Sequence, residues 1–474
     1  MTLAAPEIDT GATAWLLAST ALVLLMTPGL AFFYGGMVRA KNVLGMLMQN
    51  FTAIALVSLV WMLIAFTLAF APGNGFIGDL RFAGMSNLDQ QLPGLGSVGV
   101  PTAAFAAFQM MFAVITPALI TGATADRWRF SAFAVFIVLW SVIVYAPIAH
   151  WVFSPGGWAA ELGALDFAGG TVVHTNAGAA ALAMAIVLRR RRDWPEKPMR
   201  PHSLPLVMIG TGLLWFGWIG FNAGSALRAD GVAATALINT QLAASTALLA
   251  WIATERIRFG KTTTLGAASG VVSGLVAVTP CAGYVSPLSA AAVGVVAGAL
   301  CALLVGVKTW FNVDDSSDVV AVHLGGGLIG SLCLGLIATR SINPAGADGL
   351  FYGGGYRQLG LQAIAVAAVA LYSFTATLVI GAVLERVMGH RLPWRDESIG
   401  LDLSQHGEVA YSTGSEEEDA AAGVPVSPQP ERYGGESGHT GAHPRHRQSV
   451  PALSTRHLTA GSPPHSDPRG GRPS

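Results

Sequence analysis

Two histidines are placed to handle a proton. His174 ends the stretch Asp166-Phe-Ala-Gly-Gly-Thr-Val-Val-His174, and His323 ends Asp315-Ser-Ser-Asp-Val-Val-Ala-Val-His323. In each, an Asp stands eight residues before the His and valines fill the approach. An imidazole donates at one ring nitrogen and accepts at the other, so two adjacent rings can pass a proton. The same pair could instead be structural, hydrogen-bonded between two helices. Metal ligation is a third option, but no Cys or carboxylate shares a helix face with either ring. His150 is the other apolar-segment histidine, at the end of its segment.

Aromatic residues form a second group. Phe108 and Phe112 are four apart, which stacks them on one helix face. Phe221 precedes Asn-Ala-Gly-Ser225, a small polar break late in an apolar run. Aromatic faces beside a hydroxyl make a cup for a small cation, with attraction of about 0.5–2 kcal/mol. Trp151, Trp158 and Trp215 read as an interfacial aromatic belt. Asp166 reads first as a helix N-cap worth about 1 kcal/mol. Its second reading is support for a cation-attracting vestibule. Thr279-Pro280 reads as a helix end or kink.

The elements that must carry these groups are membrane helices. Hydrophobic residues make up 52% of the 474 residues and charged residues 11%, against about 25% charged in soluble domains. Mean hydropathy is +0.54. A crossing needs about 20 apolar helical residues. Eleven such stretches appear, at about 12–37, 44–71, 100–124, 129–152, 171–189, 204–226, 232–254, 263–279, 287–311, 319–338 and 358–387. Net charge is zero, with no basic face to track phosphates, which excludes a nucleic-acid binder. Cys281, Cys301 and Cys333 lie in apolar surroundings without metal spacing, so neither a disulfide framework nor a zinc site follows.

Lys and Arg divide unevenly between the connections. Seventeen fall in the set at 39–41, 127–129, 189–200, 256–261, 308 and 386–395. Four fall in the other: Arg81, Arg228, Arg340 and Arg357. The positive-inside rule then puts the N-terminus outside and the C-terminus in the cytoplasm. The first span lacks a basic approach and reads as uncleaved. The two Asp-to-His motifs open the fifth and tenth spans from opposite sides. That predicts two five-helix repeats of inverted topology plus an extra C-terminal helix, with the working site at the repeat interface. Residues 412–474 begin with Glu416, Glu417, Glu418 and Asp419 and stay polar, which predicts a disordered cytoplasmic tail.

Four stretches carry a resemblance. Met26-Thr-Pro-Gly-Leu-Ala-Phe-Phe-Tyr-Gly-Gly36, the Asp166-to-His174 motif, Gly217-Trp-Ile-Gly-Phe-Asn-Ala-Gly-Ser225 and Gly400-Leu-Asp-Leu-Ser-Gln-His-Gly-Glu-Val-Ala-Tyr411 resemble the ammonium transporter (Amt/Mep/Rh) family, on its bacterial Amt branch. The resemblance runs from about residue 12 to 411. It implies a transporter rather than an enzyme, no cofactor, eleven transmembrane helices and a homotrimer in the cell membrane with one pore per subunit. The division it suggests is a transporter domain at 1–390, a cytoplasmic regulatory segment at 391–411 and the tail at 412–474. By resemblance, His174 and His323 are the paired pore histidines, Phe112 and Phe221 the stacked gate, and Trp218 and Phe108 pore lining. Phe112, Ser225 and Phe153 match the outer recruitment site, with Asp166 its nearby acid. Phe153 stands where the family carries Trp, and a phenyl face holds a cation more weakly than an indole. The segment up to Tyr411 resembles the region through which PII-type proteins regulate the family.

Overall fold

The computed structural model describes residues 8–411, apart from 93, 96, 97 and 198. The tail expected at 412–474 lies outside the described residues. Among the described residues, ten helices are long and apolar enough to cross a membrane. They are α1 (Thr10–Met37), α2 (Ala40–Phe70), α3 (Thr102–Ile120), α4 (Phe130–Leu162), α5 (Gly170–Val187), α6 (Leu204–Gly224), α7 (Gly231–Phe259), α9 (Pro287–Trp310), α10 (Val320–Ile337) and α11 (Arg357–Met388). The stretch expected at 263–279 is α8 (Thr264–Val278), only 15 residues. That is about 22 Å of helix, short of the hydrocarbon thickness. Most of α8 is buried among neighbouring helices, so protein rather than lipid sets its length.

Local chemistry starts these helices where the apolar runs begin. Asp9, Ser203, Asp230, Thr263 and Ser286 each accept a backbone N–H of the first turn of α1, α6, α7, α8 and α9. Each bond satisfies a donor that the helix leaves open. Proline follows the cap in α6 and α9, where its missing N–H costs nothing. No strand is assigned among the described residues.

The two halves pair like with like. α1 packs along α6, and α5 crosses α10. Loops assigned to one side by their charge do meet in space. Arg39 bonds Asp126 at 3.1 Å, Arg191 reaches Asp126 at 3.3 Å, and Arg191 clasps Asp314 at 2.8 Å. This buried chain ties four connections together at one end of the molecule, here called the basic end. After α11 the chain stays on that end. Arg129 N–H donates to the His390 carbonyl and Leu392 N–H to the Arg127 carbonyl. The short helix α12 (Trp394–Ile399) presents Glu397, which accepts from Arg391 and from the Arg192 amide, both at 2.9 Å. Asp402 accepts the Gly45 amide at 2.8 Å, and Tyr411 meets His202 at 2.9 Å.

Candidate functional site

Each histidine sits in a turn built the same way. Asp166 accepts the amides of Gly169, Gly170, Thr171 and Val172, and so caps α5. Asp315 accepts the amides of Val319 and Val320 and caps α10. The first turn of each helix is a widened π-type turn, Gly170–Thr175 and Val320–Gly325, holding His174 and His323. Such turns gather at functional sites. A 12-residue α-helix follows in both, Asn176–Val187 and Gly326–Ile337.

The crossing is reciprocal. Gly178, four residues after His174, lies against Leu324, the residue after His323. Gly327, four after His323, lies against Thr175, the residue after His174. A β-carbon at Gly178 would stand 2.3 Å from the Leu324 amide nitrogen, and one at Gly327 2.6 Å from Thr175 Oγ1. Only hydrogen fits at either place, so the backbones approach closely. Thr171 and Ser331 hydroxyls meet across the crossing at 3.1 Å.

This contact brings His174 Nδ1 and His323 Nδ1 to 3.2 Å, with ring planes 25° apart. One Nδ1 must carry the proton and the other accept it. The free Nε2 atoms then differ: the donor ring exposes an acceptor and the acceptor ring exposes a donor. The pair therefore has two hydrogen-bonded arrangements, related by passing a proton through it. His174 Nε2 is buried and has no hydrogen-bond partner among the described residues.

An aromatic column continues from His174. Trp218 stacks on its ring at 5.2 Å and 18°, and Phe221 lies at 5.8 Å. Phe112 stacks on Phe221 at 4.2 Å and 26°, and Phe108 meets Phe112 edge-on at 4.9 Å. All six side chains of this column are buried, the two histidines included. Trp218 is fixed by its Nε1–H donating to Thr279 Oγ1 at 2.9 Å. Ser225 lies one turn beyond Phe221 and donates to its carbonyl at 2.8 Å.

Sequence-predicted residues thus converge, with two set apart. Phe153 lies near Gly169 and makes no ring contact with Phe112 or Phe221 among the described residues. Asp166 turns its carboxylate onto four backbone amides rather than into the column, although burial still pushes its pKa upward. Two contributors escaped the sequence reading. Thr279-Pro280 reads in the sequence only as a helix end, yet the Thr279 hydroxyl orients Trp218. The glycine pair was also missed, although the spacing His-x-x-x-Gly occurs in both motifs. Among the described residues no cluster of His, Cys, Asp and Glu is arranged to hold a metal ion.

Comparison with known proteins matches this architecture. Residues 14–411 fit the pattern of the Ammonium Transporter Family. An ammonium transporter of Mycobacterium bovis is 50% identical over 431 residues, covering 85% of this chain and 90% of that protein. The crystal structure of Saccharomyces cerevisiae Mep2 superposes with a TM-score of 0.79 at 36% identity, covering 86% of this chain and 93% of the other. A solved chain described as a sensor Amt protein gives 0.77 at 30% identity, covering 84% and 98%. Helices, paired histidines and relatives agree: the chain belongs to the ammonium transporter family.

Proposed function

We propose that the protein binds ammonium at the Phe112–Ser225 end of the column, deprotonates it, and conducts ammonia past the histidines while they relay the proton. The observation that carries this reading is the 3.2 Å Nδ1–Nδ1 contact at the end of a buried aromatic column. A bare ion entering such surroundings costs on the order of 20 kcal/mol in the idealised Born limit. Neutral ammonia does not meet that barrier. Phe112 and Ser225 offer a ring face and a hydroxyl for the ion. Phe153 is assigned to the recruitment site by the resemblance alone; it lies against Gly169, in the loop that Asp166 holds. Asp166 serves recruitment through the loop it holds. Potassium has no proton to give up and is refused without a size filter. Net movement carries one charge.

The test is charge movement in proteoliposomes after an ammonium pulse. His174→Ala is expected to abolish the selective current. Undiminished, still selective current refutes the relay. If wild type takes up ammonia without current, the protein is a passive gas channel.

The sensor Amt relative favours a second reading, in which binding of a cytoplasmic partner matters more than transport. Deleting residues 412–474 and measuring uptake and partner binding separately distinguishes the two. The remaining parts of the reading follow the family: a homotrimer in the cell membrane, basic end in the cytoplasm, with residues 391–411 as the surface that a PII-type regulator would meet.

A further inference from the structure

At the basic end a cleft of about 1160 Å³ opens between α5, α9 and α10, on the far side of the crossing from the aromatic column. It exceeds the roughly 300–1,000 Å³ of ordinary small-molecule pockets. Its walls are single helix faces. Leu182 and Ile186 lie one turn apart on α5, Arg189 follows just beyond its end, and Leu324 and Leu328 lie one turn apart on α10. Leu328 lies eight residues inside α10, about 12 Å along the helix, so the apolar floor runs well into the hydrocarbon zone. Ile186 is 46% exposed and Leu304 37%, so the floor is open at its side.

The mouth is cationic. Three of its cations are already matched: Lys308 by Asp318 at 2.6 Å, Arg191 by Asp314, and Arg391 by Glu397. Arg190 is not, since among the described residues its guanidinium bonds only the neutral Asn312 amide, at 2.8 Å. Arg189 makes no side-chain hydrogen bond or ion pair among the described residues. Of the acids lining the cleft, Asp318 is taken by Lys308 and Asp315 by the α10 amides, leaving Glu196 at the rim.

We infer that this cleft holds an anionic phospholipid, with its phosphate between Arg189 and Arg190 and an acyl chain along Leu182, Leu324 and Leu328. Basic pockets between membrane helices suit such headgroups, and an open apolar trough at that depth suits a chain. The site is separate from the transport column and does not depend on how that column works.

The experiment is lipid binding to the purified full chain by native mass spectrometry. The probes are phosphatidylglycerol, phosphatidylcholine and inorganic phosphate. The variants are the double substitution Arg189→Gln with Arg190→Gln, which alters exposed charges only, and Ile186→Trp, which fills the trough and leaves the charges. Wild type is expected to bind phosphatidylglycerol at least tenfold more tightly than phosphatidylcholine, and both variants to lose most of that preference while melting as wild type does. Unchanged phosphatidylglycerol binding by both folded variants overturns the proposal. So does displacement of the lipid by inorganic phosphate at equal concentration, which would mark a free-anion site. A second copy of the chain covering Ile186 would do the same.

Discussion

Replacing Gly178 or Gly327 with alanine tests the crossing that sets the histidine pair. At Gly178 the added carbon would lie 2.3 Å from the Leu324 amide nitrogen and 2.7 Å from its Cα. At Gly327 it would lie 2.9 Å from both the Gly170 carbonyl oxygen and the Thr175 nitrogen. These are mostly backbone atoms and cannot swing aside. Reaching an ordinary contact near 3.5 Å requires α5 and α10 to part by roughly 1 Å. The Nδ1–Nδ1 distance, 3.2 Å, is already at the upper edge of normal hydrogen bonding. A parting of that size breaks it. Overpacking costs about 1–3 kcal/mol. At an open helical site the same change would instead stabilise by about 0.5–1 kcal/mol, so the sign is diagnostic. Each variant is expected to remain folded, melt at lower temperature, and lose most of its ammonium current in proteoliposomes. A raised melting temperature with undiminished current would refute the reasoning.

Two further expectations follow. Phe221→Ala removes the ring stacked on Phe112 at 4.2 Å and on the His174 side of the column; potassium is expected to leak through the variant, and a potassium-tight variant would show that another element excludes ions. Asp315 gives a pH test. Burial pushes its carboxyl up to about 6, with Lys308 opposing, against about 3.9 unfolded. Folding therefore favours its protonated form, and that stabilisation is present below about pH 4, falls as pH rises through 6, and is gone above. Wild-type melting temperature is expected to drop between pH 4 and 6 more than that of Asp315→Asn. Equal slopes would refute the assignment.

The spans were legible because hydrocarbon demands long apolar runs, and the histidines because an ionisable group there is costly. The charge count also paired the right connections, as the Arg39–Asp126–Arg191–Asp314 chain shows. What stayed hidden depends on partners distant in sequence. Thr279 is one hydroxyl among many until its contact with Trp218, 61 residues away, is seen. Gly178 and Gly327 sit among 57 glycines, and nothing local separates a glycine at a backbone crossing from one facing lipid. The brevity of α8 follows from burial, which periodicity does not report.

Where the two repeats cease to match is where direction enters. Asp166 and Asp315, both π-type turns, and both glycines obey one local rule. The aromatics do not. Among the described residues Trp218 stacks on His174 and Phe221 lies tilted against it, while the ring contact of His323 is with His174. The internal symmetry therefore builds the histidine pair, while α3 and α6 add a ring face at its His174 end. On the proposed mechanism, a cation arriving at the His174 end meets the ring faces of Phe112 and Phe221. If the proposed mechanism holds, loading from that side is a property of the aromatic column rather than of the histidines. Exchanging the two histidine environments would leave it unchanged, whereas stripping Phe112 and Phe221 would remove it.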